Sequence, residues 1–326
     1  MPATDERLIG LGCMNLSHAY GVPPPPAEAA AFLQKALELG VRHFDTAALY
    51  GFGSNETLVG RALVAQRSQI VLASKCGLTG VDGRRVLDGR PETLRRTCLS
   101  SLARLQTDVI DLYYLHRWDR QVPIEDSVGA LADLVVAGHV RTIGLCEVSA
   151  STLRRAHAVH PIAAVQSEYS LWTRNPEVAV LDECRRLGAA FVAFSPLTRG
   201  FLTGGVTDPA ALAPKDLRRD MPRFTEPNFS ANAKLLAGYG ALAREAGCTP
   251  AQLALAWLLH TAPHVIPIPG TTSVEHLKDN LGATRVRLEA ELIKRLEALI
   301  NPATVSGPRY NAAAQADIDT EELSAA

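Results

Sequence analysis

From Arg7 to Pro269 the chain alternates short apolar or β-branched runs with longer amphipathic segments, and this alternation constrains the fold more than any other feature. Eight runs read as strands: RLIGLG (Arg7 to Gly12), VRHFD (Val41 to Asp45), IVLASK (Ile70 to Lys75), VIDLYYLH (Val109 to His116), VRTIGLC (Val140 to Cys146), AAVQS (Ala163 to Ser167), AAFVAF (Ala189 to Phe194) and HVIPIP (His264 to Pro269). Segments with helical spacing fill the gaps; the first, PAEAAAFLQKALELG, has Pro26 in its first turn and Gly40 past its end. Eight strand–helix units describe an α/β fold, a (β/α)8 TIM barrel. No linker-like break divides residues 1–326, so one domain is expected, with EAELIKRLEALI as an additional C-terminal helix and the polar tail from Asn301 wrapping one face. The rival, an open doubly wound sheet, should open its first helix with G-x-G-x-x-G, and GLGCMN at Gly10 supplies only G-x-G.

The formal net charge of −1 gives no basic field for nucleic acid or anionic membrane surfaces. Runs such as LALAWLL fall far short of the ~20 apolar residues that span a bilayer, and the first ten residues do not read as a signal peptide. Cysteines 13, 76, 98, 146, 184 and 248 form no CxxC pair and no cluster with histidine. A cytoplasmic protein with reduced thiols and no metal is the expectation.

Barrel chemistry sits at the C-terminal ends of the strands, so the reactive side chains that close those runs are the candidates. The second strand ends at Asp45, the third at Lys75 and the fourth at His116, and Tyr50 lies in the loop after Asp45. Taken singly, each has a commoner reading: a turn acid, a solvated lysine, a rim histidine, a packing aromatic. Their joint placement points to proton transfer rather than to metal binding or a glycosidase pair. A phenol near pKa ~10 is a poor acid at neutral pH; Lys75 would favour its phenolate and lower that value, and Asp45 would keep Lys75 charged. His116 would then hydrogen-bond a substrate oxygen, an arrangement that polarises a carbonyl. His157 and His160 are expected to meet the terminal carbonyls of their helix.

The loops after the seventh and eighth strands, SPLTRGFLTGG and IPGTTSVEHLKDN, gather glycines, hydroxyls and the backbone amides of a helix N-terminus. Such loops more often cap helices than bind anions, but together they offer a place for a nucleotide within reach of Tyr50.

These residues resemble those of the aldo-keto reductase family over nearly the whole chain. FDTAALYGFGSNETLVGRAL, ASKCG, DVIDLYYLHRWD, VPIEDSVGALADLVVAGHVRTIGL, AAVQSEYSLW, FSPLTRGFLTG and IPGTTSVEHLKDN follow in that family's order, and GLCEVSA resembles its bacterial and plant branch. The resemblance implies that Tyr50 donates the proton, Asp45 and Lys75 tune it, and His116 orients the carbonyl. It implies NADP(H) as cofactor, with NAD(H) as the alternative. Cys146, Glu147 and Gln166 would stand at the nicotinamide carboxamide, Phe194 against the ring, and Ser195, Pro196, Leu197, Gly200 and Leu202 over the pyrophosphate. Gly270, Thr271, Thr272, Ser273, His276, Asp279 and Asn280 would take the adenosine and its 2′-phosphate. Cys146 replaces the usual serine with a weaker donor, Glu147 stands where many members have Asn, and Gly270 and His276 replace a Lys and an Arg that clasp the phosphate in many relatives. The hairpin that plugs the barrel bottom in relatives is missing ahead of the first strand.

The leading expectation is therefore an NADPH-dependent reductase of small aldehydes or ketones. A cofactor-binding regulatory subunit, as in the potassium-channel β-subunits of this fold, is the alternative. A Schiff-base enzyme using Lys75 is disfavoured, because Asp45 should keep that amine protonated. Tyr20, Phe52, Trp118, Tyr169 and Trp172 fall in or near loops at the mouth and suggest an apolar or aromatic substrate, unless they pack their own loops. Arg309, in the tail, is expected to face an anionic substrate or solvent. Oligomeric state is not readable from the sequence.

Overall fold

The computed structural model describes residues 8–81 and 83–323. Eight parallel strands form its main sheet: β1 (Leu11–Gly12), β2 (His43–Asp45), β3 (Val71–Cys76), β6 (Ile110–Leu115), β7 (Val140–Cys146), β8 (Ile162–Glu168), β9 (Ala190–Phe194) and β10 (Val265–Pro267), adjacent in that order. Two bonds close the circle, Gly10 N–H to the Pro267 carbonyl (3.0 Å) and Gly12 N–H to the Pro269 carbonyl (3.3 Å). The fold is a (β/α)8 barrel, as the alternation of runs predicts. Every predicted strand is present, though the first is only Leu11–Gly12 and the sixth runs one residue further, to Glu168. Arg7, where the first strand was expected to begin, and residues 1–6, on which the expected lack of a plugging hairpin bears, lie outside the described residues.

One pair of strands is not anticipated by the sequence reading. β4 (Leu78–Val81) and β5 (Arg84–Leu87) form an antiparallel hairpin directly after β3, above the barrel mouth. The ring of Phe52 rests on its Gly80: a Cβ there would lie 1.8 Å from the ring.

Side chains alternate between two cores. Ala73, Leu112, Tyr114, Cys146, Ala164, Val192 and Ile268 fill the barrel interior. Residues facing the other way pack against the helices in a larger continuous core. In the helix Pro26–Glu38 the buried positions are Ala29, Phe32, Leu33, Ala36 and Leu37, the stripe expected of one helical face. The helix Pro250–Thr261 is instead buried nearly all round, which explains its run LALAWLL; Thr249 and Gln252 form a capping box at its start. Between β9 and β10 run three helices, Asn228–Ala233, Leu235–Glu245 and Pro250–Thr261. Among the described residues no helix is long and apolar enough to cross a membrane.

His157 and His160 do not meet helix carbonyls as expected. His157 Nδ1 accepts from the Ile162 amide (3.2 Å), and His160 Nδ1 meets the Pro161 carbonyl (3.0 Å), so both secure the turn into β8.

Two helical glycines differ sharply in what surrounds them. A Cβ on Gly60 would come within 2.6 Å of the Leu105 backbone, where the helices Ser54–Leu63 and Pro91–Leu105 cross, whereas one on Gly129 would meet nothing within 4 Å. Gly60→Ala should therefore cost about 1–3 kcal/mol by overpacking, and Gly129→Ala should gain about 0.5–1 kcal/mol of helix propensity. Urea unfolding of the two variants beside the parent checks both signs.

Candidate functional site

The mouth is built from strand ends. Asp45 closes β2, Lys75 stands near the end of β3, and His116 follows β6. Along the ladder Asp45 is in register with Ala73, so Lys75 stands one inward-facing step above that alanine. The carboxylate of Asp45 ion-pairs with Lys75, and both are buried. Lys75 Nζ also donates to the Thr46 carbonyl (2.8 Å) and to the Tyr50 hydroxyl (3.3 Å), and the second carboxylate oxygen of Asp45 accepts from Gln166 Nε2 (2.7 Å). An ammonium with no exposure is thus supplied with three oxygens, which offsets its loss of water.

Tyr50 reaches this pair by a sharp turn. Gly51, Phe52 and Gly53 follow it with φ of 54°, 52° and 93°, a run of left-handed residues that turns the chain into the helix Ser54–Leu63. Phe52 is not a glycine, and its left-handed backbone is strained. The Tyr50 ring has Lys75 Nζ 4.8 Å from its centroid and the His116 ring edge-on at 5.8 Å. The four residues of the predicted proton-transfer group therefore converge, with His18 joining them 5.5 Å from the Tyr50 ring.

Electrostatics corrects one expectation. Lys75 does pull the Tyr50 phenol downward, but burial of the hydroxyl is the larger effect and the net value is raised above that of an ordinary tyrosine. For Lys75 burial works against the charge, yet Asp45 outweighs it and holds the ammonium above the ordinary lysine value. Burial, reinforced by Lys75 and Arg117, keeps His116 well below the usual histidine value. At neutral pH the group is a protonated phenol, an ammonium and a neutral imidazole.

A second ionic cluster was not seen as a unit. Two further carboxylates stand at strand ends: Glu147 follows β7 and Glu168 ends β8, both buried. Arg309, expected to face substrate or solvent, instead ion-pairs with Glu147 and lies 3.3 Å from Glu168, with its guanidinium 6.0 Å from the Phe194 ring. Thr320 donates to Glu147 (2.6 Å), and Arg199 binds Glu168 (2.6 Å) and the Tyr20 hydroxyl (2.9 Å). The tail is further fixed by Asp319, whose carboxylate accepts from Thr152 Oγ1 (2.7 Å) and the Ser149 amide (3.1 Å). Glu168 was legible: the strand-end test that selects Asp45 would have selected it had the sixth strand been carried one residue further. Arg199, Arg223 and Thr320 carry no local signal.

Of the residues expected at a cofactor, Cys146 lies at the mouth end of β7, buried, with its thiol pushed up to about 12. Glu147 is held by the tail and Gln166 by Asp45. Phe194 is half-buried, and Ser195, Thr198, Arg199 and Gly200 all take left-handed backbone (φ 50°, 51°, 58° and 86°), folding the following loop into tight turns that include half-buried Leu197 and buried Pro196 and Leu202. Gly270 and Thr272 are exposed, Thr271 is buried, and Ser273 caps the helix Val274–Gly282 by accepting from the His276 amide. His276 is exposed, Asn280 is buried, and the Asp279 carboxylate is taken by Thr249 Oγ1 (2.9 Å). A Cβ on Gly270 would lie 3.1 Å from Asn15 Oδ1, a buried acceptor without a partner among the described residues.

The five aromatics divide. Tyr20, Phe52 and Trp118 stand around the mouth, although Tyr20 is engaged by Arg199 and Arg218, and Trp118 donates to the Val122 carbonyl (2.9 Å). Tyr169 and Trp172 are corrected to packing residues: Tyr169 is fully buried against Phe191 and Trp257, and Trp172 stacks on Phe201.

The profile of the aldo/keto reductase family matches residues 8–301. Among solved structures the chain is similar to a glycerol dehydrogenase from Gluconobacter oxydans, with 29% identity, a TM-score of 0.82, and coverage of 96% of this chain and 98% of that one. It is similar to an aldo-keto reductase from Bacillus halodurans in its holo form (27% identity, TM-score 0.74, 91% and 93% covered). An aldo/keto reductase from Klebsiella pneumoniae in complex with NADP and acetate gives 27% identity and a TM-score of 0.71, with 93% and 94% covered.

The second cluster predicts an acid limb of stability. Burial alone would raise Glu168, but Arg199, Arg309 and Arg223 outweigh it and hold the carboxyl at about 2, against an ordinary 4.5. A depressed acid contributes stability above its unfolded value and loses it as pH falls towards the folded one. Urea-unfolding free energy should therefore decline from about pH 4.5 towards pH 2, and Glu168→Gln should flatten that slope while lowering stability at pH 7 by roughly 3–5 kcal/mol, since two arginines lose their counter-charge.

Proposed function

Because this chain belongs to the aldo/keto reductase family, we propose that it reduces small aldehydes or ketones to alcohols with NADPH, using Tyr50 as the general acid. Family membership implies an oxidoreductase acting on carbonyl groups. The single observation that carries the finer reading is the convergence of Tyr50 on the buried Lys75–Asp45 pair beside a neutral His116.

NADPH, when bound, supplies the hydride. The chain's own groups handle the oxygen. Tyr50 gives its phenolic proton to the carbonyl oxygen as negative charge develops there, and Lys75, 3.3 Å from the phenol, stabilises the phenolate left behind. Asp45 keeps Lys75 protonated, so that the amine does not attack the carbonyl as a nucleophile. His116, neutral, donates a hydrogen bond to the same oxygen and fixes its position without competing as a stronger acid.

The residues present fit the cofactor at both ends. Phe194 offers a half-buried ring for the nicotinamide, with Cys146, Glu147 and Gln166 at the carboxamide. The turns from Ser195 to Leu202 would hold the pyrophosphate. Around the capped helix start, Gly270 to Ser273 with His276, Asp279 and Asn280 would take the adenosine end, with the Asn15 acceptor, unpartnered among the described residues, beside Gly270. The NADP in the Klebsiella pneumoniae relative supports NADPH as donor, with NADH as the alternative.

Absorbance of NADPH with a panel of aldehydes tests the reading; cofactor binding without turnover of any aldehyde would instead favour a regulatory subunit. Tyr50→Phe should lower turnover by roughly 10²-fold or more while NADPH affinity is kept. The raised Tyr50 value adds a pH prediction with a definite sign. An acid acts only below its pKa, so the reduction rate should stay level through neutral pH and fall only on the alkaline side of the ordinary tyrosine range. An alkaline limb centred near pH 8 would show that Lys75, not burial, controls the phenol.

A further inference from the structure

Beside the proposed reduction site stands a guanidinium with no carboxylate partner among the described residues. Arg117 directly follows His116 and is half-buried. Among the described residues its only hydrogen bond runs from Nη1 to the His116 carbonyl (2.6 Å), and no carboxylate stands within salt-bridge distance. The bond through Nη1 leaves the edge formed by Nε and Nη2 uncommitted. That edge carries two parallel N–H groups and matches the two oxygens of a carboxylate.

Four arginines around it are paired. On the hairpin Arg85 pairs with Asp317 (2.5 Å), Arg120 meets Asp319 (3.5 Å), Arg155 pairs with Glu125 (2.8 Å), and Arg309 pairs with Glu147. The acidic end of the tail thus answers the cations on either side of Arg117 and leaves Arg117 itself without an acid. Its charge is felt at the mouth: it helps to depress His116 and to hold the Glu147 carboxyl down. The aromatic side of the pocket is correspondingly thinner than the sequence suggests, since Tyr169 and Trp172 are in the core.

We propose that Arg117 is a specificity-determining residue that binds a carboxylate on the substrate, so that the preferred substrates are small carbonyl compounds bearing an anionic group. This rests on the reduction proposed above. A substrate held by its carbonyl at Tyr50 and His116 and by its carboxylate at Arg117 would be fixed at two points, the second supplied by the residue that directly follows His116. The guanidinium is already oriented by its bond to the His116 carbonyl, so less side-chain freedom is lost when it binds.

The test compares 4-carboxybenzaldehyde with its neutral methyl ester, each with NADPH, in the parent enzyme and in Arg117→Met and Arg117→Lys. The parent should favour the carboxylate by about tenfold or more in kcat/KM, chiefly through KM. Arg117→Met should bring the ratio of the two substrates close to one, and Arg117→Lys should restore part of it. A parent without preference, or a ratio that survives in Arg117→Met, overturns the proposal. So does an equal fall for both substrates, which would assign Arg117 to holding the His116 carbonyl. Turnover of the ester is the separate readout of reduction itself: if the parent reduces neither compound, the reductase reading fails and this inference with it.

Discussion

The buried pair of Lys75 and Asp45 is the interaction on which the mouth depends. An ammonium without solvent exposure is tolerable only if its counter-charge and acceptors are held in place by structure that cannot drift. Here they come from β2, β3 and β8, with Thr46 supplying a carbonyl and Gln166 occupying the other oxygen of Asp45. Asp45 and Gln166 are 121 residues apart in sequence, and only the closed parallel sheet brings them together. The small Ala73 beside Asp45 in the ladder belongs to the same arrangement, because the barrel interior at that level is filled by modest side chains. Register, closure and charge thus determine one another.

The cluster of Glu147, Glu168, Arg199 and Arg309 does for the periphery what that pair does for the centre. Two acids at neighbouring strand ends would repel each other and any anionic ligand if left alone. Arg309 meets both, and with Thr320 it ties the C-terminal tail to the end of β7. Arg199 meets Glu168 and extends to Tyr20, in the loop after β1, so that opposite sides of the mouth are joined through one guanidinium. The tail is consequently part of the mouth's wall. Its later acids, Asp317 and Asp319, bind arginines on β5 and in the loop after β6, so its attachment is electrostatic almost throughout. Breaking the buried pairs of Arg309 with Glu147 and Arg199 with Glu168 leaves unpaired buried charge, so their loss should cost more than loss of the more exposed pairs of Asp317 and Asp319.

What the sequence discloses follows the range of the interactions. The eight strands were legible because alternation of burial is written locally, and Asp45, Lys75 and His116 were legible because barrel strands point their last residues at one mouth. Glu168 obeys the same rule and was missed only by the placement of a strand boundary. The hairpin Leu78–Val81 with Arg84–Leu87 had a local sign, Asp82-Gly83 between short runs, a pair well suited to tight hairpin turns. Arg309 is different in kind. Its partner Glu147 lies 162 residues away, and nothing near either residue announces the other. Tyr169 and Trp172 show the converse, since aromatic residues after a strand end read alike whether they turn towards the mouth or the helices.

The direction of the Tyr50 shift could not be read from neighbours in the chain, because it is a contest between one nearby charge and the loss of water around the hydroxyl. That burial wins does not weaken the proposed role. A phenol raised above the ordinary tyrosine value by burial is still more acidic than an alcohol, so an alkoxide forming beside it takes the proton downhill. Before the hydride arrives the same high value keeps the phenol protonated, with Lys75 poised 3.3 Å away. Lys75 therefore contributes most when the phenolate appears, and least to the resting protein. That is the behaviour required of a group that favours the transition state over the ground state, and it follows from placing a permanent charge beside a dry, neutral acid.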